Sequence, residues 1–212
     1  MDPRRVVADG YDRIAERYLG WSEGDPVRLA WLERLAALLP RGGAVLDIGC
    51  GAGIPVARRL SQIAHVTGID ISPRQVELAR SSVPEATFLC GDVLAADLAD
   101  GSFDAVCAFF AIAHLPREDH AELIARIVRW LKPGGVFVAS FGAEDAPGAV
   151  EQGWLGAPMF FSQFGAQDNL ALIRAAGLDL IEARIEAHDE DGACVRFLWV
   201  SARKDGAAPA GD

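Results

Sequence analysis

The apolar positions of this chain follow a helical spacing over its first 40 residues and then change to short strand-like runs separated by helical segments. The early pattern predicts a helix over residues 3–20. A second helix begins near Asp25, a suitable N-cap, and ends at the P-R-G-G sequence of residues 40–43. Two tyrosines, Tyr11 and Tyr18, lie on the apolar stripe of the first helix. The spacing leaves open whether they pack in the core or contact a ligand.

From residue 44 onward, apolar runs typical of strands alternate with helical segments, one of which is capped by Ser72. The strands are expected at A-V-L-D-I, H-V-T-G-I-D, A-T-F-L-C, S-F-D-A-V-C-A-F-F and V-F-V-A-S-F-G. This alternation predicts an α/β fold, a parallel sheet with helices on both faces. The last two runs, about residues 179–187 and 193–202, flank the acidic turn H-D-E-D-G and predict a C-terminal antiparallel hairpin.

Residues 143–166 interrupt this alternation and are too long for an ordinary connection. Turn-forming residues there are mixed with large apolar side chains: Trp154, Met159, Phe160, Phe161 and Phe164. Because the segment follows the fifth strand, we expect it to form the wall and lid of a pocket. A small satellite core that ties the insertion down is the alternative.

The composition narrows the class of protein. A chain of 212 residues fits one domain, and a formal net charge of −10 argues against a nucleic-acid substrate, because phosphate binding needs a basic surface. The four cysteines show no paired spacing, and no His/Cys cluster suggests a metal site. With no signal-peptide pattern and no apolar run of membrane-spanning length, we expect a reduced, cytoplasmic protein.

The stretch most informative about function is residues 44–54, A-V-L-D-I-G-C-G-A-G-I. A buried strand leads into a glycine turn, and a helix follows, which is the arrangement that binds nucleotide-like ligands in open α/β sheets. A dinucleotide fingerprint needs its third glycine where Ile54 stands, and Asp47 lies two residues before the first glycine. An acid there disfavours a pyrophosphate and suits a ligand with a cationic amino-acid end.

D-I-G-C-G-A-G between a strand and a helix resembles the class I S-adenosylmethionine-dependent methyltransferases of the bacterial small-molecule type, and the resemblance covers roughly residues 10–202. It implies a Rossmann-like, seven-stranded, mostly parallel sheet that ends in the antiparallel hairpin. It also implies S-adenosyl-L-methionine as the cofactor and S-adenosyl-L-homocysteine as the product. Y-D-x-x-A-x-x-Y at Tyr11–Tyr18 resembles the N-terminal segment that folds over the cofactor in this family.

The resemblance assigns roles to individual acids. Asp70, at the end of the second strand, is expected to bind the ribose diol, with capping of the next helix as the alternative. Asp92 in C-G-D-V is expected at the adenine amine, with a solvated turn aspartate as the alternative. Asp47 is expected to hold the amino-acid end, or else to bond the N–H groups of the glycine loop. The full set of expected cofactor contacts is Tyr11, Tyr18, Asp47, Gly49, Cys50, Gly51, Asp70, Ile71, Gly91, Asp92, Val93 and Phe109.

Acceptor chemistry is expected at the other rim of the crevice. His114, in the H-L-P-R run, has three open roles there: general base, ligand contact or structural residue. The expected pocket consists of His114 and the five large side chains of residues 143–166. F-F-S-Q-F also resembles the family, but Gln163 stands where a histidine is expected, which weakens a catalytic role for that segment. His188 is expected to lie far from the crevice.

The sequence therefore predicts a methyltransferase that acts on O or N of a small apolar or aromatic acceptor, as a monomer or homodimer without nucleic acid, membrane or metal. The rival hypotheses are a non-catalytic, regulatory cofactor-binding protein, an NAD-dependent oxidoreductase and, within the class, a protein methyltransferase. We expect a single domain over residues 1–204, with residues 1–40 as a helical cap and residues 143–166 as a lid. A disordered tail is expected over 205–212.

Overall fold

The computed structural model describes residues 2–22, 24–190 and 193–206. Its helices are α1 (Pro3–Ser22), α2 (Pro26–Leu38), α3 (Val56–Leu60), α4 (Pro73–Ser82), α5 (His120–Trp130) and α6 (Ala166–Ala175). Its strands are β1 (Ala44–Ile48), β2 (His65–Asp70), β3 (Thr87–Cys90), β4 (Phe103–Ala108), β5 (Leu131–Gly142), β6 (Ala146–Trp154), β7 (Ala157–Gln163), β8 (Leu178–Glu190) and β9 (Ala193–Lys204).

The described part of the chain is built around a seven-stranded sheet with the order β3-β2-β1-β4-β5-β9-β8. β1 to β5 pair in parallel, and β9 lies antiparallel between β5 and β8. This arrangement confirms the predicted Rossmann-like class and its C-terminal hairpin. Strand order reverses next to β1, where α/β sheets place their ligands at the carboxyl ends of the strands.

Helices cover both faces of the sheet, as the alternating pattern predicts. One apolar cluster packs α5 and α6 against the sheet, and a second packs α2, α3 and α4 against the opposite face. Asp25 and Ser72 are the N-caps expected of them, since their side chains accept from the backbone N–H groups of Arg28 and Gln75. The helix after the glycine loop, α3, is short, because the glycine turn continues through Pro55.

The insertion of residues 143–166 is a second, two-stranded antiparallel sheet made of β6 and β7 rather than an irregular loop. A third apolar cluster joins it to α1 through Val6, Val7, Ile14, Leu155 and Met159 among others. The roles of residues 1–40 as a cap and of residues 143–166 as a lid remain predictions. The insertion has its own apolar cluster, as the satellite-core alternative requires, and some of its residues also line a cavity, as the pocket-wall alternative requires. Of the predicted disordered tail, residues 207–212 lie outside the described residues.

Of the four cysteines, Cys50 and Cys107 are buried, whereas Cys90 and Cys194 are exposed. Among the described residues, no helix combines the length and apolarity needed to span a bilayer.

A pair of leucines on α2 tests how this helix is held. Leu35 is fully buried against the sheet, whereas Leu29 on the same helix is 39% exposed. We expect Leu35→Ala to lower the free energy of unfolding by about 2–5 kcal/mol, because the substitution leaves a cavity. Leu29→Ala, the matched control, is expected to change it by less than about 1 kcal/mol. Urea denaturation followed by tryptophan fluorescence measures both, and equal effects would contradict the packing of α2.

Candidate functional site

The carboxyl ends of β1, β2, β3 and β4 meet at one edge of the sheet and form a crevice, across which α1 lies. Its wall is formed by Arg4, Val7, Tyr11, Tyr18, Ile48, Gly49, Gly51, Ile69, Asp70, Ile71, Gly91, Asp92, Val93, Phe109, Phe110, Ala111, His114 and Leu115. All the predicted cofactor contacts lie in this wall except Asp47 and Cys50. Those two line a smaller inner pocket behind the glycine loop.

The glycine loop is held in a shape that a side chain would prevent. Gly49 has a φ of +67°, and a Cβ at this position would lie 2.4 Å from the Cβ of Ala111. The N–H groups of Gly49 and Cys50 both donate to the carbonyl of Ile69, at 2.8 and 3.2 Å. The loop therefore folds back onto the end of β2 and brings the backbone close to the crevice.

Asp70 occupies the position predicted for it, at the end of β2. One of its carboxylate oxygens accepts from the N–H of Gly51 at 2.8 Å, and the other accepts from the N–H of Ser72 at 2.9 Å. Burial raises its pKa to about 6, although these backbone hydrogen bonds act in the opposite direction. Because Ser72 caps α4, the capping alternative for Asp70 is wrong. Each oxygen keeps a lone pair with which to accept from a diol.

Asp92 is tied to α1 rather than solvated in a free turn. Its Oδ1 accepts from the N–H of Leu94 at 3.0 Å, and its Oδ2 accepts from Nε of Arg4 at 2.6 Å. The same guanidinium also reaches Asp119, at 2.9 Å. Arg4 therefore fastens α1 to the rim of the crevice at the point where adenine binding is predicted, and that role of Asp92 stays a prediction.

Asp47 is a buried acid with an unpartnered oxygen. The residue is 2% exposed, and its Oδ1 lies 3.5 Å from Sγ of Cys107. Its Oδ2 has no hydrogen-bond partner within the described residues, and burial raises its pKa to about 7. The N–H groups of Gly49, Cys50 and Gly51 donate to β2 instead. Asp47 therefore does not accept the hydrogen bonds from these three N–H groups that its structural alternative requires. The free oxygen fits the ammonium group of S-adenosylmethionine.

His114 lies where the crevice opens towards the β6–β7 sheet. Its Nδ1 is 2.9 Å from the carbonyl oxygen of Phe160, which only accepts, so Nδ1 carries the proton. Its Nε2 therefore has a lone pair, and the hydroxyl of Tyr11 donates to it at 2.8 Å. Burial lowers the pKa of His114 to about 4, so the ring is neutral at physiological pH. Tyr11, in turn, has a pKa raised well above its usual value by burial.

A larger outer cavity of about 770 Å³ adjoins the crevice, and the two share Tyr11, Tyr18, Phe110 and His114. α1, the start of α2, the β6–β7 sheet and the end of the β8–β9 hairpin enclose it. The aromatic residues in its wall are Tyr11, Tyr18, Trp21, Phe110, Trp154, Phe161 and Phe197.

Three of the predicted pocket residues do not lie in the wall of the outer cavity. Met159 packs under Gly10 of α1, and Phe160 points to the other face of β7, against Gly148. Phe164 packs edge-to-face against His120, with ring centroids 5.8 Å apart. Strand alternation and the approach of α1 explain these corrections; Trp154, Phe161 and Gln163 do line the cavity.

The structure also corrects the placement of His188, which lies in the wall of the outer cavity rather than far from the site. Its Nδ1 is 2.8 Å from Oδ2 of Asp25, and Nε1 of Trp199 donates to its Nε2 at 3.1 Å. Both ring nitrogens are therefore occupied. The contact with Asp25 ties the hairpin to the start of α2, a long-range pairing that no local sequence pattern indicates.

Arg28 is a site residue that the sequence analysis missed. It is 5% exposed and lines both the inner pocket and the outer cavity. The sequence does contain a signal for its burial. The buried residues of α2 follow the spacing i, i+3, i+4, i+7 of an apolar stripe, and an arginine occupies the first of these positions: Arg28, Trp31, Leu32 and Leu35.

Comparison with known proteins agrees with this geometry. Residues 45–135 match the family model described as a methyltransferase domain. Methyltransferase GfsG of Streptomyces halstedii is 32% identical in an alignment that covers 84% of this chain and 74% of that protein. A ubiquinone biosynthesis O-methyltransferase of Aromatoleum aromaticum is 37% identical over 119 residues, which cover 53% of this chain and 49% of the relative.

The chain spans about a third to a half of the length of several other curated relatives that it matches. Among solved structures, the 1,6-didemethyltoxoflavin-N1-methyltransferase of Burkholderia thailandensis shares the fold with a TM-score of 0.72 at 23% identity, over 97% of this chain and 91% of that one. Sheet order, glycine loop and the similarity to GfsG over most of both chains together show that the chain belongs to the class I S-adenosylmethionine-dependent methyltransferases.

Proposed function

We propose that this protein methylates a hydroxyl group of a small, hydrophobic, aromatic acceptor that binds in the outer cavity. The observation that carries the proposal is the contact between His114 and Tyr11. A neutral imidazole presents its Nε2 lone pair, at 2.8 Å, to a phenolic hydroxyl at the junction of the crevice and the outer cavity. An acceptor hydroxyl that takes the place of the Tyr11 hydroxyl meets the same base.

When bound, S-adenosylmethionine supplies a methyl group on a sulfonium, which leaves as a neutral thioether. His114 accepts the acceptor's hydroxyl proton at Nε2, while the Phe160 carbonyl holds the proton on Nδ1. A pKa of about 4 makes His114 a weak base. It suffices, because the proton of a hydroxyl becomes strongly acidic as its oxygen bonds to the methyl carbon. Positioning and exclusion of water supply the rest of the rate enhancement.

The outer cavity has the size and wall of a small-molecule site. Its volume of about 770 Å³ lies within the range of about 300–1,000 Å³ that is usual for such pockets. Two pairs of aromatic rings in edge-to-face contact contribute to its wall, Trp154 with Phe161 and Phe110 with Phe197. Flat apolar acceptors suit such a wall, and the similarity to an O-methyltransferase of ubiquinone biosynthesis supports a hydroxyl acceptor. A small acceptor also leaves no role for nucleic acid, in keeping with the net charge.

The proposal is tested by incubating the purified protein with S-adenosylmethionine and a panel of phenols and hydroxylated polycyclic compounds, followed by mass spectrometry. We expect products heavier by one CH₂ unit together with S-adenosylhomocysteine. Cofactor binding without any methylated product across the panel favours the regulatory hypothesis. Binding of NAD without binding of S-adenosylmethionine favours the oxidoreductase hypothesis.

The ribose assignment of Asp70 predicts that Asp70→Ala weakens binding of both S-adenosylmethionine and S-adenosylhomocysteine by at least about tenfold, because two hydrogen bonds to a charged group are lost. Isothermal titration calorimetry measures the affinities. Asp179→Ala, an exposed acid on β8, is the control and is expected to leave them unchanged. Unchanged affinity in Asp70→Ala contradicts the assignment.

The base assignment predicts that His114→Ala lowers kcat by about 10²-fold or more with an acceptor found by the panel. Since the pKa of His114 is about 4, we expect the wild-type rate to show no titration of this residue between pH 6 and 9. The exposed His65 serves as the matched control through His65→Ala. Near wild-type turnover of His114→Ala across this pH range would show that His114 is not a base.

The raised pKa of Asp47 predicts that this residue lowers the stability of the folded protein while it strengthens ligand binding. Its pKa is raised from 3.8 to about 7, so the folded protein binds more protons than the unfolded chain between these values, and stability falls as pH rises through this window. We expect Asp47→Asn to be more stable than wild type at pH 8, with the gain shrinking towards pH 4. The same variant should bind S-adenosylhomocysteine at least about tenfold more weakly, because the ammonium loses its charged partner.

Thermal unfolding at several pH values measures the stability difference. Asp104→Asn is the control with the opposite sign, because Lys132 and the N–H of Ala44 lower the pKa of Asp104, and its contribution to stability is present at neutral pH and lost in acid. A loss of stability in Asp47→Asn that is the same at pH 5 and pH 8 would rule out a raised pKa for Asp47.

A further inference from the structure

The strand β8 forms one edge of the seven-stranded sheet and leaves one of its sides open. It pairs with β9 alone, and within the described residues no backbone group outside the hairpin bonds to it. β3, at the opposite edge of the sheet, has four residues, whereas β8 has 13 and contains neither proline nor lysine. A long edge strand without such residues is a template on which another strand can pair.

The side chains of β8 alternate between the two faces of the sheet. Arg184 and Glu186 stand opposite aromatic residues of β9, on the face that α2 covers. Ile185 stands opposite Leu198, on the face that α5 and α6 cover. Although it is a large apolar residue, Ile185 is 53% exposed. The open edge therefore carries charges on one face and an uncovered apolar side chain on the other.

The charges of β8 are incompletely paired within one chain. Arg184 forms an ion pair with Glu182, which also lies 3.5 Å from Nε of Arg34 on α2. Glu186, two residues further along the same face, forms no ion pair with any residue that the structure describes. The edge therefore offers a free carboxylate next to a guanidinium that is 56% exposed.

Two antiparallel copies of β8 are complementary when Ile185 of each copy lies at the two-fold axis. Residues equally far before and after Ile185 then face each other across the junction. Arg184 lies opposite Glu186 of the second copy, and the reverse pair forms on the other side of the axis, so opposite charges meet. On the other face, Ile185 meets its own copy, flanked by the small residues Ala183 and Ala187.

Neighbouring registers lack this complementarity. A pairing centred on Arg184 sets two arginines against each other and Glu182 against Glu186, and like charges directly opposite are destabilising. A pairing centred on Ala183 brings Ile181 into the ladder, where the register of β8 with β9 shifts between Leu180 and Glu182. A bulge of this kind interrupts regular pairing. The ladder is therefore confined to residues 182–188.

We propose that β8 is a dimerisation edge, on which a second copy of this chain adds its own β8 in antiparallel orientation, centred on Ile185. The two sheets then continue into each other across the junction. Such a two-fold interface uses the same surface on both chains, so it closes as a dimer and does not extend into a filament. Backbone hydrogen bonds hold the strands together, while the charge pairs and the Ile185 contact set the register. The dimer does not depend on the proposed methylation.

Sedimentation velocity over protein concentrations of about 1–200 µM tests the dimer, a range suited to an association of micromolar Kd. The wild-type mass is expected to approach twice that of one chain. Ile185→Lys sets two ammonium groups against each other at the axis and is expected to weaken the dimer at least about tenfold. Ile181→Lys is the matched control, because Ile181 is 49% exposed on the same strand but lies at the bulge, and it should dimerise as wild type does.

A mixing experiment tests the charge pairs. Arg184→Glu alone faces Glu186 with a like charge, and Glu186→Arg alone faces Arg184 with a like charge, so each variant is expected to be mainly monomeric. An equimolar mixture of the two places opposite charges at both positions of the mixed dimer. We therefore expect the mixture to recover the dimer that neither variant forms by itself.

Cross-linking tests the position of the axis. Ile185→Cys, in a Cys90→Ser/Cys194→Ser background that removes the two exposed cysteines, brings two thiols face to face. Under mild oxidation we expect a disulfide-linked dimer on a non-reducing gel. Ile181→Cys in the same background is the control and should remain monomeric on the gel.

Three outcomes overturn the proposal. A wild-type protein that stays monomeric over the whole concentration range shows that the edge does not pair. A dimer that survives Ile185→Lys, or that Ile181→Lys disrupts to the same extent, lies elsewhere or in another register. A mixture of Arg184→Glu and Glu186→Arg that stays monomeric, with each variant folded by circular dichroism, contradicts the charge pairs.

Discussion

The site depends on how the backbone turns at the end of β1. The N–H groups of Gly49 and Cys50 converge on the carbonyl of Ile69, and the N–H of Gly51 donates to Asp70. These bonds fix the distance between the ends of two neighbouring parallel strands. They also keep the peptide of Gly49 against Ala111, where a side chain does not fit. The crevice, the position of Asp70 and the inner pocket behind the loop all follow from this one turn.

The same turn buries two acids, so that their ionised forms are unfavourable in the ligand-free protein. Asp47 and Asp70 are held by burial at pKa values of about 7 and 6, so in the absence of a ligand the folded protein is less stable when both are ionised. Arg28 adds a buried cation near them without an ion pair in the described structure. Such unfavourable groups are typical of sites that a charged ligand completes. They explain why side chains that suit ligand binding lower the stability of the ligand-free protein.

Much of the fold could be predicted because its signals are local. The alternation of strands and helices, the caps at Asp25 and Ser72 and the acidic turn before the last strand each require only a few neighbouring residues. The glycine loop and Asp70 likewise follow from spacing along one strand–turn–helix unit. The placement of His188 beside Asp25 could not be predicted, because 163 residues separate the two and the pairing depends on the complete sheet.

The acceptor side of the site was harder to predict for a related reason. Trp154, Met159 and Phe164 all looked like pocket residues by composition, yet only the strand register and the approach of α1 decide which of them faces the outer cavity. Arg28 was overlooked although it stands on an apolar stripe, because a single charged residue on a helix is usually solvated. The hydrogen bond between Tyr11 and His114 joins elements more than 100 residues apart. The proposed role of His114 as a base rests on this contact.

The most direct test of the account is whether ligand binding forces the buried acid to ionise. Calorimetric titration of S-adenosylhomocysteine at pH 6, in buffers with different enthalpies of ionisation, counts the protons exchanged on binding. Because the pKa of Asp47 is about 7 and an ammonium ligand favours its charged form, the account predicts the release of about one proton per ligand at pH 6. It also predicts that Asp47→Asn releases about one proton fewer per ligand than the wild type. Tight binding without proton release at pH 6 would contradict it.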